Sequence, residues 1–232
     1  MLQSTRDRLL LPAGMMSLLI AGLAYWWLDN GPHEIFGTAM FGFLGWHLTM
    51  NRRWFLKLRS GRYDARRWVV LVTHVWLGIT MTVLIVTSVF ISRSVLSFAQ
   101  FSNDVTIIEL HWFSAYWVAI IVAVHAGTHW TRVMTVAGTV LRLSPSPTRS
   151  GVLRLAALLL LGLGAWSFTV LGVSTKLMFG YSVEFWDFTT AVSPFFGHWT
   201  VVMAGVAVLS HYAMICLRLL NKTRIRTTEG QT

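Results

Sequence analysis

Four histidines repeat one spacing on two apolar segments of the chain. His33 and His47 are 14 residues apart, and His111 and His125 are also 14 residues apart. In an α-helix, 14 steps of ~100° return to within roughly 40° of the starting face, and the helical rise separates the two rings by about 21 Å. Neutral imidazole binds iron well, and two imidazoles fill both axial positions of a haem. Two such helices side by side would supply the four axial ligands of a di-haem site.

The composition indicates that these helices lie in a lipid bilayer. The chain is 55% hydrophobic and 12% charged, with a mean hydropathy of +0.60. Long apolar runs alternate with short polar joints, and six runs have roughly the 17–25 residues that cross the hydrocarbon core. The six predicted spans are residues 10–28, 33–51, 68–91, 107–130, 152–173 and 198–220. We therefore expect an all-α polytopic membrane helix bundle that forms a single domain over residues 1–232. Its haems would lie within a four-helix core, in the part formed by residues 30–140.

The positive charge of the chain falls on one side of this topology. The net charge is +10, and of the 19 lysines and arginines all but Arg93 and Lys176 lie on one side, in the segment before the first span, in or beside the joints after spans two and four, or at the end of the last span and beyond it. By the positive-inside rule both termini are cytoplasmic, and we expect a bacterial inner (cytoplasmic) membrane. Because this topology explains the basic composition, no nucleic-acid partner is expected.

The topology also predicts which histidines pair. Spans two and four run in the same direction, since span three returns the chain between them, so equivalent histidines lie at equal depth. We expect His33 to pair with His111 on the outer side of the membrane and His47 with His125 on the inner side. Small residues such as Gly37, Gly42 and Gly45 permit close approach of a helix or of a flat macrocycle.

Four further histidines are less clearly placed: they are His74, His129, His198 and His211. His129 follows His125 by one helical turn, so it is a candidate for contact with a haem propionate, with ligation as the alternative. His198 and His211 are 13 residues apart, which turns them ~140° from each other and departs from the ligand pattern. Each of the four could bind quinone, relay protons or hold a third haem, but structural hydrogen bonding is the simpler explanation for each.

Other chemistry can be assigned or excluded from single residues and motifs. Arg52, Arg53 and Arg132 stand where propionates of the inner haem would emerge, although the positive-inside rule alone also explains them. Cys216 is the only cysteine, which excludes an internal disulfide, an iron–sulfur cluster and covalent haem attachment. The glycine fingerprint of dinucleotide-binding folds, the P-loop and the H-E-x-x-H motif are also absent from the sequence.

The segments around the four histidines resemble the flavinylation-associated cytochrome family of bacterial membrane proteins. The resemblance covers residues 10–140 and rests on four segments, which are 33–37 (HEIFG), 47–55 (HLTMNRRWF), 111–115 (HWFSA) and 125–130 (HAGTHW). It implies a b-type haem protein that moves electrons across the membrane, with flavin-bearing or other redox partners. The histidine pairs are also similar to those of cytochrome b of quinol–cytochrome c oxidoreductases. The last two spans depart from that larger protein, and its Pro-Glu-Trp-Tyr quinol motif is absent.

The function predicted on these grounds is electron transfer across the bilayer by two haems b. Electrons would pass between the quinone pool, or one redox protein, and a flavin- or metal-containing partner, so the chain would be an electron-transfer subunit without a substrate-converting domain. Two redox alternatives are a cytochrome b anchor of a hydrogenase- or formate-dehydrogenase-like complex and a ferric reductase module. A different class is a proton or metal transporter that uses the histidines without haem, and a scaffold without any cofactor would make the repeated spacing a coincidence.

Overall fold

The structure is a computed structural model. It describes the backbone of residues 2–56, 58, 63–99, 104–180 and 186–229, and within these ranges the side chains of residues 9–221 except residue 99. Several charged residues of the sequence argument have side chains outside the described residues, namely Arg6, Arg8, Lys57, Arg59, Arg62, Glu184, Lys222, Arg224 and Arg226.

The described chain is helical throughout and contains no β-strand, which confirms the all-α prediction. Ten α-helices follow one another: α1 (Leu2–Leu23), α2 (Tyr25–Leu28), α3 (Asn30–Asn51), α4 (Arg53–Leu56), α5 (Ala65–Ile91), α6 (Val105–Thr128), α7 (Trp130–Val140), α8 (Pro147–Val170), α9 (Val173–Leu177) and α10 (Val192–Glu229). A 3₁₀ turn, Ser97–Ala99, lies between α5 and α6.

Four of these helices are long and apolar enough to cross a membrane. They are α5, α6, α8 and the Val192–Asn221 part of α10. The apolar part of α1 is shorter, Leu9–Leu23, and α3 has 22 residues but is not among the four. Polar side chains near both ends of α3, among them Glu34, His47 and Asn51, account for its lower hydropathy.

Two of the predicted spans are interrupted in the structure. The segment 10–28 divides at Ala24, where the backbone (φ −91°, ψ 46°) is not helical, and Asp29 then adopts a positive φ of 67° before α3 begins. The segment 107–130 divides at His129 (φ −102°, ψ 3°), so α6 ends at Thr128 and α7 starts anew at Trp130. These breaks depend on how the chain turns between packed helices, which hydropathy does not reveal.

The starts of three long helices follow from local sequence chemistry. Asp64, Asp104 and Ser146 each precede a helix and accept a hydrogen bond from a backbone N–H of its first turn. Such caps satisfy donors that have no partner within the helix. Pro147 follows Ser146 at the first turn of α8, where its missing N–H costs nothing.

The closest helix packing centres on α6 and α10. α6 packs against α5 and α10, and α10 packs against α8. A Cβ added to Gly127 of α6 would lie 2.3 Å from the carbonyl oxygen of Ala207, and one added to Gly205 would lie 3.0 Å from that of Leu160. Glycine therefore permits these backbones to touch, as small residues do at interfaces of membrane helices.

α3 is placed differently from the other long helices. It packs against α1, and neither α5 nor α6 packs closely against it in the described part of the chain. Contact across this wider separation is made by side chains such as Met40, which is 4% exposed and belongs to the same core as Val118 of α6. Between α3 and α6 there is consequently a zone spanned by side chains, and His33 and His111 meet in this zone.

Candidate functional site

The structure brings His33 and His111 together from α3 and α6. Their ring centres are 6.0 Å apart. Two imidazoles that bind one metal ion from opposite sides, each through a bond of roughly 2 Å, have ring centres roughly 6 Å apart. The outer pair expected from the sequence therefore has the separation of two opposed axial ligands.

His111 is further held by α5. Its Nδ1 lies 3.3 Å from the hydroxyl of Thr87 and 3.4 Å from the hydroxyl of Ser88. On the other side of the pair, the ring of His33 packs edge-on against Tyr25 at 5.1 Å. Both outer rings are thus fixed by neighbours other than each other.

The inner histidines form a cluster of four. His125 lies 4.7 Å from His74 and 4.7 Å from His129, measured between ring centres, and His74 lies 5.6 Å from His129. His47 of α3 is within electrostatic range of all three. The structure therefore adds His74 and His129 to the predicted inner pair.

The geometry of this inner cluster differs from that of the outer pair. Among the described residues His47 makes no ring contact with His125, and the separation of His74 from His125 is shorter than the roughly 6 Å of two opposed ligands. α5 and α6, which carry His74 and His125, also pack closely against each other. Across the wider separation between α3 and α6, His47 and His125 remain the histidines that the sequence predicts to pair.

We call His33 and His111 the outer tier, and His47, His74, His125 and His129 the inner tier. Two nitrogens of these histidines are buried without a hydrogen-bond partner. They are Nδ1 of His33 and Nδ1 of His125, one in each tier. A buried polar atom left unpaired costs about 1–3 kcal/mol, so native proteins rarely keep one without a function. His74 and His129 differ, because their Nδ1 atoms donate to the backbone carbonyls of Val70 (2.6 Å) and His125 (3.0 Å).

The remaining two histidines lie elsewhere. Nδ1 of His198 is 2.9 Å from the hydroxyl of the buried Ser167, and its ring contacts Trp166 and Trp186. The ring of His211 contacts Tyr212 at 5.4 Å. Neither joins a tier, so their predicted roles toward haem or quinone receive no support from position.

The cations near the inner cluster include one that sequence reasoning missed. Arg52, Arg53 and Arg132 are exposed, and Arg132 is within electrostatic range of His129. Arg66, at the start of α5, also acts on His129. Its position two helical turns before His74 is the signal that could have identified it.

Glu34 is a second residue whose role the sequence did not show. Its carboxylate accepts hydrogen bonds from the backbone N–H groups of Arg93 (2.7 Å), Ser94 (3.0 Å) and Val95 (2.7 Å). The hydroxyl of Ser92 and the amide of Asn30 also donate to it, at 2.7 and 2.8 Å. We call this arrangement the Glu34 clamp. It ties the first turn of α3 to the turn after α5, and so it holds His33 opposite α6.

The face of α3 between its two histidines is apolar and partly open. Met40 and Leu44 lie on this face, since they follow His33 by 7 and 11 residues. Gly37 follows His33 by 4 residues on the same face, and a Cβ added to it would meet no atom within 4 Å. The layer between the tiers thus has apolar walls, with open space beside Gly37, as the surroundings of a haem macrocycle require.

The comparisons with known proteins do not identify a relative. No protein-family model, no curated protein and no solved structure matches the chain.

The donor set fits haem better than a bare metal ion. Within the described residues no group of three or more His, Cys, Asp or Glu side chains is arranged to hold a metal ion. A haem iron needs only two ligands from the protein, because the macrocycle supplies the others. The outer pair, His33 and His111, has the separation of two such ligands, and the inner histidines supply a second group of imidazoles.

Proposed function

We propose that this chain is a membrane cytochrome b that binds two haems, one per histidine tier, and conducts electrons across the bilayer. The observation that carries the proposal is the 6.0 Å separation of His33 and His111, which belong to helices that do not pack closely against each other. His47 and His125 are the proposed ligands of the second haem. Because α6 carries one ligand of each tier, one rigid helix fixes the distance between the two sites.

The protein contributes ligation, spacing and a water-poor environment. A haem b held by two histidines carries one electron at its iron and has no open position for oxygen. The tiers lie about 21 Å apart along α6, which is most of the ~30 Å thickness of the hydrocarbon core. Apolar residues such as Met40 and Val118 separate the tiers and exclude water between them.

We also propose a membrane topology, a cellular membrane and redox partners for this chain. All six predicted segments cross the membrane, with α1 and α3 as the two shorter or more polar spans and with both termini in the cytoplasm. The resemblance to the flavinylation-associated cytochrome family favours a bacterial inner membrane and a flavin- or metal-containing redox partner. The quinone pool is the proposed second partner, although position assigns a quinone to none of the described histidines.

Spectroscopy of the full chain purified in detergent tests this function. The visible spectrum should show b-type haem, and a pyridine haemochrome assay should give two haems per chain. In proteoliposomes, the purified protein should carry electrons from an internal reductant to an external acceptor. A pure, folded and colourless protein would contradict the proposal and would favour the transporter alternative.

A further inference from the structure

We infer that Thr87 and Ser88 are positioning residues that fix the tautomer of His111, so that its Nε2 presents a lone pair toward His33. The consequence for haem binding rests on the proposed function, whereas the tautomer itself does not.

The hydrogen bonds of the two hydroxyls determine which nitrogen of His111 carries the ring hydrogen. The hydroxyl of Thr87 donates to the carbonyl of Val83 at 2.8 Å, and the hydroxyl of Ser88 donates to the carbonyl of Leu84 at 2.6 Å. Each hydroxyl has a single hydrogen, which is thereby used. Toward Nδ1 of His111, at 3.3 and 3.4 Å, both oxygens can only accept. Nδ1 must then carry the ring hydrogen.

A neutral imidazole carries one hydrogen, so the other nitrogen, Nε2, has the lone pair. Nδ1 faces α5, where both hydroxyls lie, and the ring partner on the opposite helix is His33. The ligating nitrogen is thus directed into the zone between α3 and α6. This is the tautomer that a metal requires when the second nitrogen is held by a hydrogen bond.

The surroundings keep these hydroxyls in place. Thr87 is 6% exposed, and α5 and α6 pack closely against each other. Within the described chain His111 is the one tier histidine whose Nδ1 bonds to side chains of another helix. His74 and His129 use backbone carbonyls, and Nδ1 of His33 and of His125 is unpaired. The tautomer of His111 can therefore be altered by substitution without changing the ligand itself.

Removal of these two hydroxyls should change both the affinity of the site for haem and the reduction potential of the bound haem. A hydrogen bond to the distal nitrogen makes an imidazole ligand more basic, and removal of such a partner weakens metal binding by about 10–100-fold. Because a more basic ligand favours ferric iron, the double variant Thr87→Val/Ser88→Ala should raise the reduction potential of one haem and leave the other unchanged. A tenfold change in the ratio of ferric to ferrous affinity corresponds to ~59 mV for one electron.

The experiment uses the full-length protein with two readouts. In the ¹⁵N spectrum of histidine-labelled protein without added haem, His111, assigned from the loss of its signal in His111→Gln, should be protonated at Nδ1. In the double variant the two tautomers should mix. Redox titration of the haem-loaded protein should then show one shifted midpoint. The control is Thr73→Val, since Thr73 is equally buried on α5 and bonds only to a backbone carbonyl, that of Val69.

The outcomes separate the two proposals. The conservative variant Ser88→Thr, with Thr87 intact, keeps both hydroxyls and should retain the wild-type tautomer and potential. If His111 is protonated at Nε2 in the wild type, or if the double variant changes neither readout in a folded protein, the inference is wrong. Failure of the protein to bind haem would overturn the proposed function while leaving the tautomer result intact.

Discussion

The carboxylate of Glu34 on α3 accepts a 2.7 Å hydrogen bond from the hydroxyl of Ser92, the residue that follows α5. Because α3 does not pack closely against α5 or α6, this bond and its neighbours in the Glu34 clamp fix the outer end of α3. The clamp residue directly follows His33 in the sequence. The proposed ligand and its anchor are therefore adjacent, and displacement of one displaces the other.

Removal of the clamp should both destabilise the protein and loosen the outer haem. Glu34→Ala leaves three backbone N–H groups without their acceptor, and we expect the free energy of unfolding to fall by about 1.5–3 kcal/mol. Thermal unfolding in detergent measures this loss, and haem analysis should show partial loss of one haem. Glu109→Ala is the control, because Glu109 lies at the same end of the helices and outside the clamp. Equal effects of the two substitutions would show that the clamp has no special role.

Histidines outside the tiers should be dispensable for haem binding. His198 bonds to Ser167 and His211 contacts Tyr212, away from α3 in both cases. The double variant His198→Ala/His211→Ala should therefore retain two haems per chain in the pyridine haemochrome assay. Loss of one haem from a folded double variant would place a ligand outside the two tiers and would overturn the assignment.

Arg66 should tune the inner site through its charge. A cation beside the inner histidines favours the reduced, less positive state of a bound haem, so Arg66→Gln should lower the midpoint potential of one haem by tens of millivolts. Redox titration monitored in the visible range measures the shift. Arg154→Gln is the matched control, because Arg154 lies in a groove of about 340 Å³ between α8 and α10 and outside both tiers. A rise in potential in Arg66→Gln would contradict the placement of this charge.

The contact between α6 and α10 should tolerate no larger residue at Gly127. An added Cβ would lie 2.3 Å from the carbonyl oxygen of Ala207, so Gly127→Ala must push the helices apart. Overpacking of this kind costs about 1–3 kcal/mol, which exceeds the ~0.5–1 kcal/mol that alanine gains over glycine in a helix. Gly138→Ala, with open space at its Cβ, should be neutral or stabilising. Thermal unfolding distinguishes the two, and equal midpoints would argue against the close contact.

Much of the architecture was accessible from local sequence features. Apolar runs predicted α5, α6, α8 and α10, and the caps at Asp64, Asp104 and Ser146 mark where three of them begin. The spacing of the histidines predicted that His33 and His111 would share a depth, because helical rise and periodicity are local properties. The structure brings these two residues together.

The remaining features depend on tertiary packing. The break at Ala24, the turn that binds Glu34 and the proximity of His74 to His125 all arise from contacts between segments distant in the sequence. Hydropathy and residue spacing do not predict which neighbouring segment supplies a backbone donor to a given side chain. For the same reason the sequence does not distinguish Thr87 and Ser88 from other residues of an apolar span, whereas the structure places both hydroxyls beside His111.

Haem stoichiometry in single-tier variants tests the central claim most directly. The wild-type chain should contain two haems b by the pyridine haemochrome assay, while His33→Ala and His111→Ala should each contain one. That remaining haem should be the inner one, whereas His47→Ala and His125→Ala should each keep only the outer haem; the two haems are distinguished by their midpoint potentials. The double variant His33→Ala/His125→Ala should contain no haem. Folded variants that all retain the wild-type haem content, or a wild-type protein without haem, would contradict the assignment of the two tiers.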